Sequence, residues 1–246
     1  MAQPISKINW PSKKYILSDL DGTLIDSIGA WAKADSDLLL EFCNLNVPPP
    51  EAHRDTITFV KHYEGSGNLL YVSHANMLIE KYHIKGISAL ELCIWRQNRA
   101  NEILLTISYK DGAIQFLKTA KNQGFKLGLI TTTPKKQLDT YRYENQHMTA
   151  QCIIDELFDI IIDADSVTKS KPNPEPYQIA ISKLGGLPSE YIAFEDSLDG
   201  VQSAKSANIE VVRVHDEYSV SQRPAINALA DYYLDDWRDL LSQPLL

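Results

Sequence analysis

The sequence predicts an α/β protein, a doubly wound parallel sheet interrupted behind its first strand by an α-helical insertion. Three observations carry that expectation. From Asp111 to Val214, short apolar runs alternate with stretches of helical periodicity, the pattern of parallel strands joined by right-handed crossovers. One further apolar run, Tyr15 to Ser18, lies far ahead of the others. Between the two, residues 28–108 show helical spacing and no strand-like run.

In chain order, the first dozen residues, with Pro4 and Pro11, read as a loose lead-in. A strand over about 14–19 follows and ends in Asp19-Leu20-Asp21-Gly22-Thr23. Within the insertion, helical spacing appears at Trp31, Leu38, Leu39 and Phe42, then over Leu69 to Ile79, then over Leu90 to Leu105. Gly65-Ser66-Gly67-Asn68 reads better as a helix–helix connection than as a phosphate-cradling loop. Asp111 to Gln123 is a helix stopped by Gly124, and Phe125 to Thr131 is a buried strand. Pro134 opens the next helix, where its fixed φ suits a first turn. Ile160 to Asp163 is a strand, Pro174 to Leu184 a helix stopped by Gly185-Gly186, and Tyr191 to Phe194 a strand. Ser197 to Ala207 (helix) and Val211 to Val214 (strand) complete the pattern. The first strand should lie between those ending at Thr131 and Phe194, with the insertion near the strand tips where open α/β sheets bind ligands.

Composition narrows the function classes. Of 246 residues, 44% are hydrophobic, enough for a sizeable core, yet no apolar run nears the roughly 20 residues of a membrane span. A net charge of -8 argues against a nucleic-acid surface. Met1 to Trp10 lacks the pattern of a signal peptide, and Cys43, Cys93 and Cys152 are widely separated. Reduced thiols and a cytoplasmic location are therefore expected. His53, His62, His74 and His83 show no metal-ligand spacing and read as surface or packing residues.

The chemistry is concentrated at strand ends. Asp19 and Asp21 stand one residue apart at the tip of a buried strand, where like charges raise each other's pKa unless a cation or shared proton offsets them. An Asp-Gly turn alone would also explain the motif. Thr131-Thr132-Thr133 ends a second strand beside a helix N-terminus, a place to hold a phosphate oxygen or simply to cap the helix. Lys171 precedes three alternating prolines, Pro172, Pro174 and Pro176, which fix its approach; Lys169 reads as an ordinary surface lysine. Glu195-Asp196 ends a third strand. Carboxylates from two strand tips, with phosphate and water, make the hard all-oxygen set that suits Mg²⁺.

These segments, in this order, resemble the haloacid dehalogenase superfamily of phosphatases and phosphotransferases. The resemblance covers roughly residues 14–28 and 108–215 and implies a Rossmann-like core of residues 1–27 and 109–246, with residues 28–108 as a small helical cap. It implies that Asp19 is the nucleophile and Asp21 the acid and then the base. Thr131 and Thr132 would hold the phosphoryl oxygens, and Lys171 would stabilise charge. Mg²⁺ would be held by Asp19, Asp21 through its carbonyl, Asp196 and Glu195. Retention of the acid at Asp21 favours phosphate-ester chemistry over carbon–halogen or carbon–phosphorus cleavage. The mutases of the family keep a histidine in the first cap helix; Ile28-Gly29-Ala30-Trp31-Ala32-Lys33 has none, which favours hydrolysis. The expected partner is a small phosphorylated metabolite, bound by a monomer or weak homodimer. Arg96 and Arg99 are the cap side chains placed to meet a second anionic group, unless they are ordinary solvated arginines. Glycines near Ile25–Gly29 and Ser108–Gly112 suit a hinge. The alternatives are a sugar-phosphate mutase and a non-catalytic protein that binds phosphate.

Overall fold

The computed structural model describes residues 2–43, 56, 59 and 68–245; His53, His62 and Gly65-Ser66-Gly67 lie outside them. The described residues form two compact units, one of Met1–Asp26 with Ile107–Leu246 and one of Ser27–Thr106.

The larger unit holds β1 (Gln3–Pro4), β2 (Tyr15–Ser18), β3 (Lys126–Ile130), β4 (Ile160–Ile162), β5 (Tyr191–Glu195), β6 (Glu210–Val214) and β7 (Tyr232–Leu234). They make one parallel sheet in the order β1-β7-β6-β5-β2-β3-β4. As the sequence predicts, β2 lies between β3 and β5, with Ser18 paired to Leu129 on one side and Phe194 on the other. The chain builds β3 and β4 to one side of β2, then returns to build β5, β6 and β7 on the other. That reversal opens the crevice beyond the carboxyl ends of β2 and β5.

The period-2 alternation of the strands supplies two buried faces. Leu17, Ala193 and Val211 meet Tyr177, Ala180, Val201, Ala204 and Ile226 on one face. The opposite face carries an aromatic stack, with Phe194 and Trp237 ring centroids 4.8 Å apart and Phe116 5.8 Å from each. With both faces covered, central strands read as unbroken apolar runs, which is how they were legible.

The N-terminus is not a loose lead-in. Gln3 and Pro4 pair with Tyr232 and Tyr233, and Ile5, Ile8 and Trp10 are buried. Trp10 packs 5.7 Å from Phe116 and 6.1 Å from Phe125. Two 3-10 turns carry these residues, so neither helix nor strand periodicity marks them. Pro4 sits on an edge strand, where its missing N–H leaves no ladder position empty.

The smaller unit contains α1 (Ser27–Cys43), α2 (Asn68–Tyr82) and α3 (Ala89–Leu104). Leu38, Leu39, Ala75, Leu78, Ile84 and Leu92 form its core, flanked by Phe42 edge-on to Trp95 at 5.4 Å. A reciprocal capping box between Ser88 and Glu91 starts α3. Among the described residues no helix is long and apolar enough to cross a membrane, and Cys43, Cys93 and Cys152 are free thiols.

The remaining helices of the larger unit are α4 (Ala113–Asn122), α5 (Lys135–Asp139), α6 (Gln146–Gln151), α7 (Ile154–Leu157), α8 (Glu175–Leu184), α9 (Leu198–Ser206) and α10 (Arg223–Leu229). Gly29 lies inside α1. Gly112 has φ 86°, and a Cβ there would meet the Arg238 backbone nitrogen at 2.9 Å and the Trp237 carbonyl carbon at 3.1 Å. Gly112→Ala should therefore lower stability by about 2–4 kcal/mol, combining the left-handed backbone cost with overpacking. Denaturant melts check this; a change under about 0.5 kcal/mol would show that the turn yields freely.

Candidate active site

The site grows from the end of β2. The Asp19 backbone N–H donates to the Phe194 carbonyl at 3.0 Å, so the ladder continues one residue past the strand and delivers Asp19 to the tip. Gly22, at φ 79°, closes a tight loop in which its N–H reaches the Ile25 carbonyl at 2.9 Å. Remote segments pin that loop. Trp237 Nε1 donates to the Thr23 carbonyl at 3.1 Å, and Lys110 Nζ donates to the Gly22 carbonyl, to the His215 carbonyl at 3.1 Å and to Asp216 at 3.2 Å.

Lys171 organises the centre. Its ammonium donates to Asp19 Oδ1 at 2.6 Å, to Glu195 Oε1 at 2.7 Å and to the Ile130 carbonyl at 2.8 Å, and its side chain is 4% exposed. Burial alone would favour its neutral form, but Asp19 and Glu195 outweigh it and hold the ammonium above the usual lysine range. The Tyr177 hydroxyl also donates to Glu195 Oε1. Glu195 Oε2 is buried with no hydrogen-bond partner among the described residues. A Cβ built on Gly200 would collide with that oxygen, so Gly200 makes room for the carboxylate.

Asp196 is buried beside this cluster and is not the helix cap that its position allows. Ser197 caps α9 through the Gly200 N–H at 3.1 Å, leaving Asp196 to accept from Thr23 Oγ1 at 2.9 Å and Ser219 Oγ at 3.3 Å. Burial, then Glu195 and Asp216, push its carboxyl up to about 7. Asp19 is also raised well above the usual carboxylate range, first by burial and against the pull of Lys171.

The β3 tip supplies hydroxyls. Thr131 Oγ1 accepts the Thr133 N–H at 3.0 Å and approaches Asp21 Oδ2 at 3.4 Å; Thr133 Oγ1 also donates to Asp21 Oδ2. No threonine caps α5, because Pro134 holds the N-cap without a side-chain bond. Thr132, between Thr131 and Thr133, is exposed. In extended chain alternate side chains face opposite ways, so Thr131 and Thr133 share the inner side.

The structure brings Asp19, Asp21, Thr131, Lys171, Glu195 and Asp196 to one end of the sheet. Arg96 and Arg99 belong to the helical unit, and their guanidiniums are already engaged. Arg96 grips buried Asp35 at 2.5 and 3.2 Å and lies 5.0 Å from the Trp31 ring; Arg99 bonds Asp37 at 2.7 Å and Glu102 at 2.9 Å. These ion pairs join α3 to α1, with the Arg96 fork bonding both oxygens of Asp35. Sequence reasoning missed Lys110, Thr133, Tyr177 and Gly200. Two of them left a signal: Thr133 belongs to the Thr131–Thr133 motif, and Gly200 is a glycine in a helix where alanine is favoured by about 1 kcal/mol.

The donor set fits a divalent cation. Asp19, Glu195 and Asp196 each offer a carboxylate oxygen, all within 4.8 Å of one another. One ammonium bonds two of these acids, and the third is held by hydroxyls, so negative charge remains in excess. Hard oxygens with excess negative charge suit Mg²⁺ rather than a thiophilic metal.

Residues 16–214 match the haloacid dehalogenase-like hydrolase family. Along most of its length the chain resembles the phosphoglycolate phosphatase of Pseudomonas putida, at 27% identity over 237 residues covering 93% of this chain and 78% of that one. The Bacillus subtilis protein YhcW is 33% identical over 130 residues, and the match spans 53% of this chain and about half, 56%, of that one. The structure of a CbbY variant from Rhodobacter sphaeroides with xylulose-1,5-bisphosphate has a TM-score of 0.64 at 23% identity, covering 92% of this chain and 95% of that one. The chain belongs to the haloacid dehalogenase-like hydrolases, whose members generally use a divalent metal.

The electrostatics set a pH dependence. A carboxyl whose folded pKa exceeds its unfolded value binds more protons when folded, so stability falls as pH rises between the two values. With Asp196 near 7 and Asp19 raised as well, the metal-free protein should lose thermal stability between about pH 4 and pH 7. Asp196→Asn should reduce that slope and raise the melting temperature at the alkaline end. Melts in EDTA across this range check it; an unchanged slope in the variant would remove Asp196 from the account.

Proposed function

We propose that this chain, as a haloacid dehalogenase-like hydrolase, is a Mg²⁺-dependent phosphomonoesterase acting on a small phosphorylated metabolite through a phosphorylated Asp19. The observation that carries the reading is the buried bridge from Lys171 to Asp19 and Glu195, with Asp21 two residues on and gripped by hydroxyls. A cation in that position screens a carboxylate nucleophile from the phosphoryl group it attacks.

An Asp19 carboxylate oxygen attacks phosphorus as the bond to the ester oxygen breaks, and Asp21 gives its proton to that departing oxygen. Water then attacks the phosphorus of phospho-Asp19 while Asp21 takes its proton, releasing phosphate and restoring the Asp19 carboxylate and the protonated Asp21. Thr131 at the β3 tip holds phosphoryl oxygens, and Lys171 balances charge developing on them. Glu195 keeps Lys171 in place and charged. Asp19, Asp196 and Glu195, with the Asp21 carbonyl, would hold Mg²⁺, which when bound would offset the repulsion between the nucleophile and the phosphate. These core residues recognise only the phosphoryl group, so the choice among substrates falls to residues 28–108. α1 contains no histidine, which favours hydrolysis over mutase chemistry.

Phosphate release from 4-nitrophenyl phosphate should require Mg²⁺ and stop with EDTA. Asp19→Asn should abolish it, because an amide forms no acyl phosphate. Asp21→Asn should slow it roughly 10²–10⁴-fold and accumulate phospho-Asp19, visible by mass spectrometry of the intact protein. Normal turnover by Asp19→Asn would end the covalent reading, and isomerisation of a hexose phosphate without phosphate release would replace hydrolysis by mutase activity.

A further inference from the structure

We propose that Tyr141 is a positioning residue for the acid–base step, holding the Asp21 carboxylate aligned through its phenol. The proposal rests on the reading of Asp21 as acid and base. Among the described residues, three hydroxyls reach Asp21, and they divide between its two oxygens. Thr131 and Thr133 serve Oδ2, whereas the Tyr141 hydroxyl stands 3.5 Å from Oδ1, at the outer limit of a hydrogen bond. A carboxylate held at one oxygen still rotates about its χ2, a broad torsion. A donor at the second oxygen fixes the plane, and with it the direction in which a proton leaves.

Tyr141 is built for this contact. Its side chain is fully buried, and buried phenols carry a hydrogen-bond partner. Gln137 Nε2 donates to the phenol oxygen at 3.3 Å, which directs the phenol proton towards Asp21. The backbone is specialised at the same place. After the five residues of α5, Thr140–Glu144 form a single π turn, whose extra residue redirects the side chains within it. The segment that begins with Thr131 therefore contacts Asp21 twice, once at the strand tip and again from the π turn. In the proposed reaction the Thr131 hydroxyl turns to the phosphoryl oxygens, leaving Thr133 and Tyr141 to hold Asp21.

A positioning role for Asp21 has a signature that a structural role lacks. An alkyl ester needs its leaving oxygen protonated, whereas 4-nitrophenolate leaves readily without help. The test uses the full chain with Mg²⁺ and compares kcat/KM for β-glycerol phosphate and 4-nitrophenyl phosphate, so that only steps through phosphoryl transfer are read. Tyr141→Phe keeps the ring and should lower the alkyl-to-aryl ratio about tenfold, the scale of one lost alignment in a 10²–10⁴-fold acid–base contribution. In an Asp21→Asn background it should change the ratio no further, because residues acting as a unit are not additive. If Tyr141→Phe fails to fold, Gln137→Leu removes the donor to the same phenol and is read by the same ratio. An unchanged ratio in an active, folded variant overturns the role of Tyr141 alone, as does an equal loss in the Asp21→Asn background. Wild-type protein that hydrolyses neither ester overturns the phosphatase reading and this inference with it.

Discussion

The larger unit is organised around one buried ammonium among carboxylates. Taking Asp19, Glu195 and Asp196 out of water together is costly, and breaking a buried pair by removing one partner typically costs several kcal/mol. Lys171 offsets two of the three, and each of its hydrogens has an acceptor. Because the acceptors come from β2, β3 and β5, the same ammonium ties three strand ends at one point. Tyr177 and Gly200 follow from this arrangement: one donates to Glu195, and the other leaves the space that its carboxylate occupies.

A second layer holds the loop after β2. Lys110 bonds the Gly22 and His215 carbonyls together with Asp216, and Trp237 bonds the Thr23 carbonyl. Segments about a hundred residues or more away in sequence thus hold the turn between Asp19 and Asp196. Thr23 completes the circuit by donating its hydroxyl to Asp196. Catalytic geometry of this kind depends on tolerances well under an ångström, which rigid strand ends and pinned carbonyls maintain better than a free loop.

The helical unit uses its charges for its own cohesion. Arg96 and Arg99 draw α3 to α1 through Asp35 and Asp37, with the Arg96 guanidinium also near Trp31. Arg96 and Asp35 are largely buried, where paired charges matter more than on the surface; the Arg99 pair is more exposed and correspondingly weaker. An arginine on a long helix is legible in sequence. Which carboxylate it meets is not, because that depends on the rotation of a second helix about its axis.

The strands β2 to β6, the helices α4, α5, α8 and α9, and Asp19, Asp21, Thr131, Lys171, Glu195 and Asp196 as candidate site residues were legible in the sequence alone. Both faces of the sheet are buried, so its strands stand out as apolar runs; Asp19, Thr131, Glu195 and Asp196 end or directly follow those runs, whereas Lys171 stands out by the prolines after it. The N-terminal packing was not legible, because Ile5, Ile8 and Trp10 lie on irregular turns without a period. Nor were β1 and β7, which are two and three residues long. Which hydroxyl faces inward was decided only in the folded chain: Thr133 rather than Thr132 meets Asp21, through the alternation of extended backbone. Tyr141, Tyr177, Lys110 and Gly200 likewise acquire their places only when distant segments pack. Local pattern records whether a residue is buried in its own element, but a contact between elements depends on where the partner lies, and the tertiary fold alone fixes that.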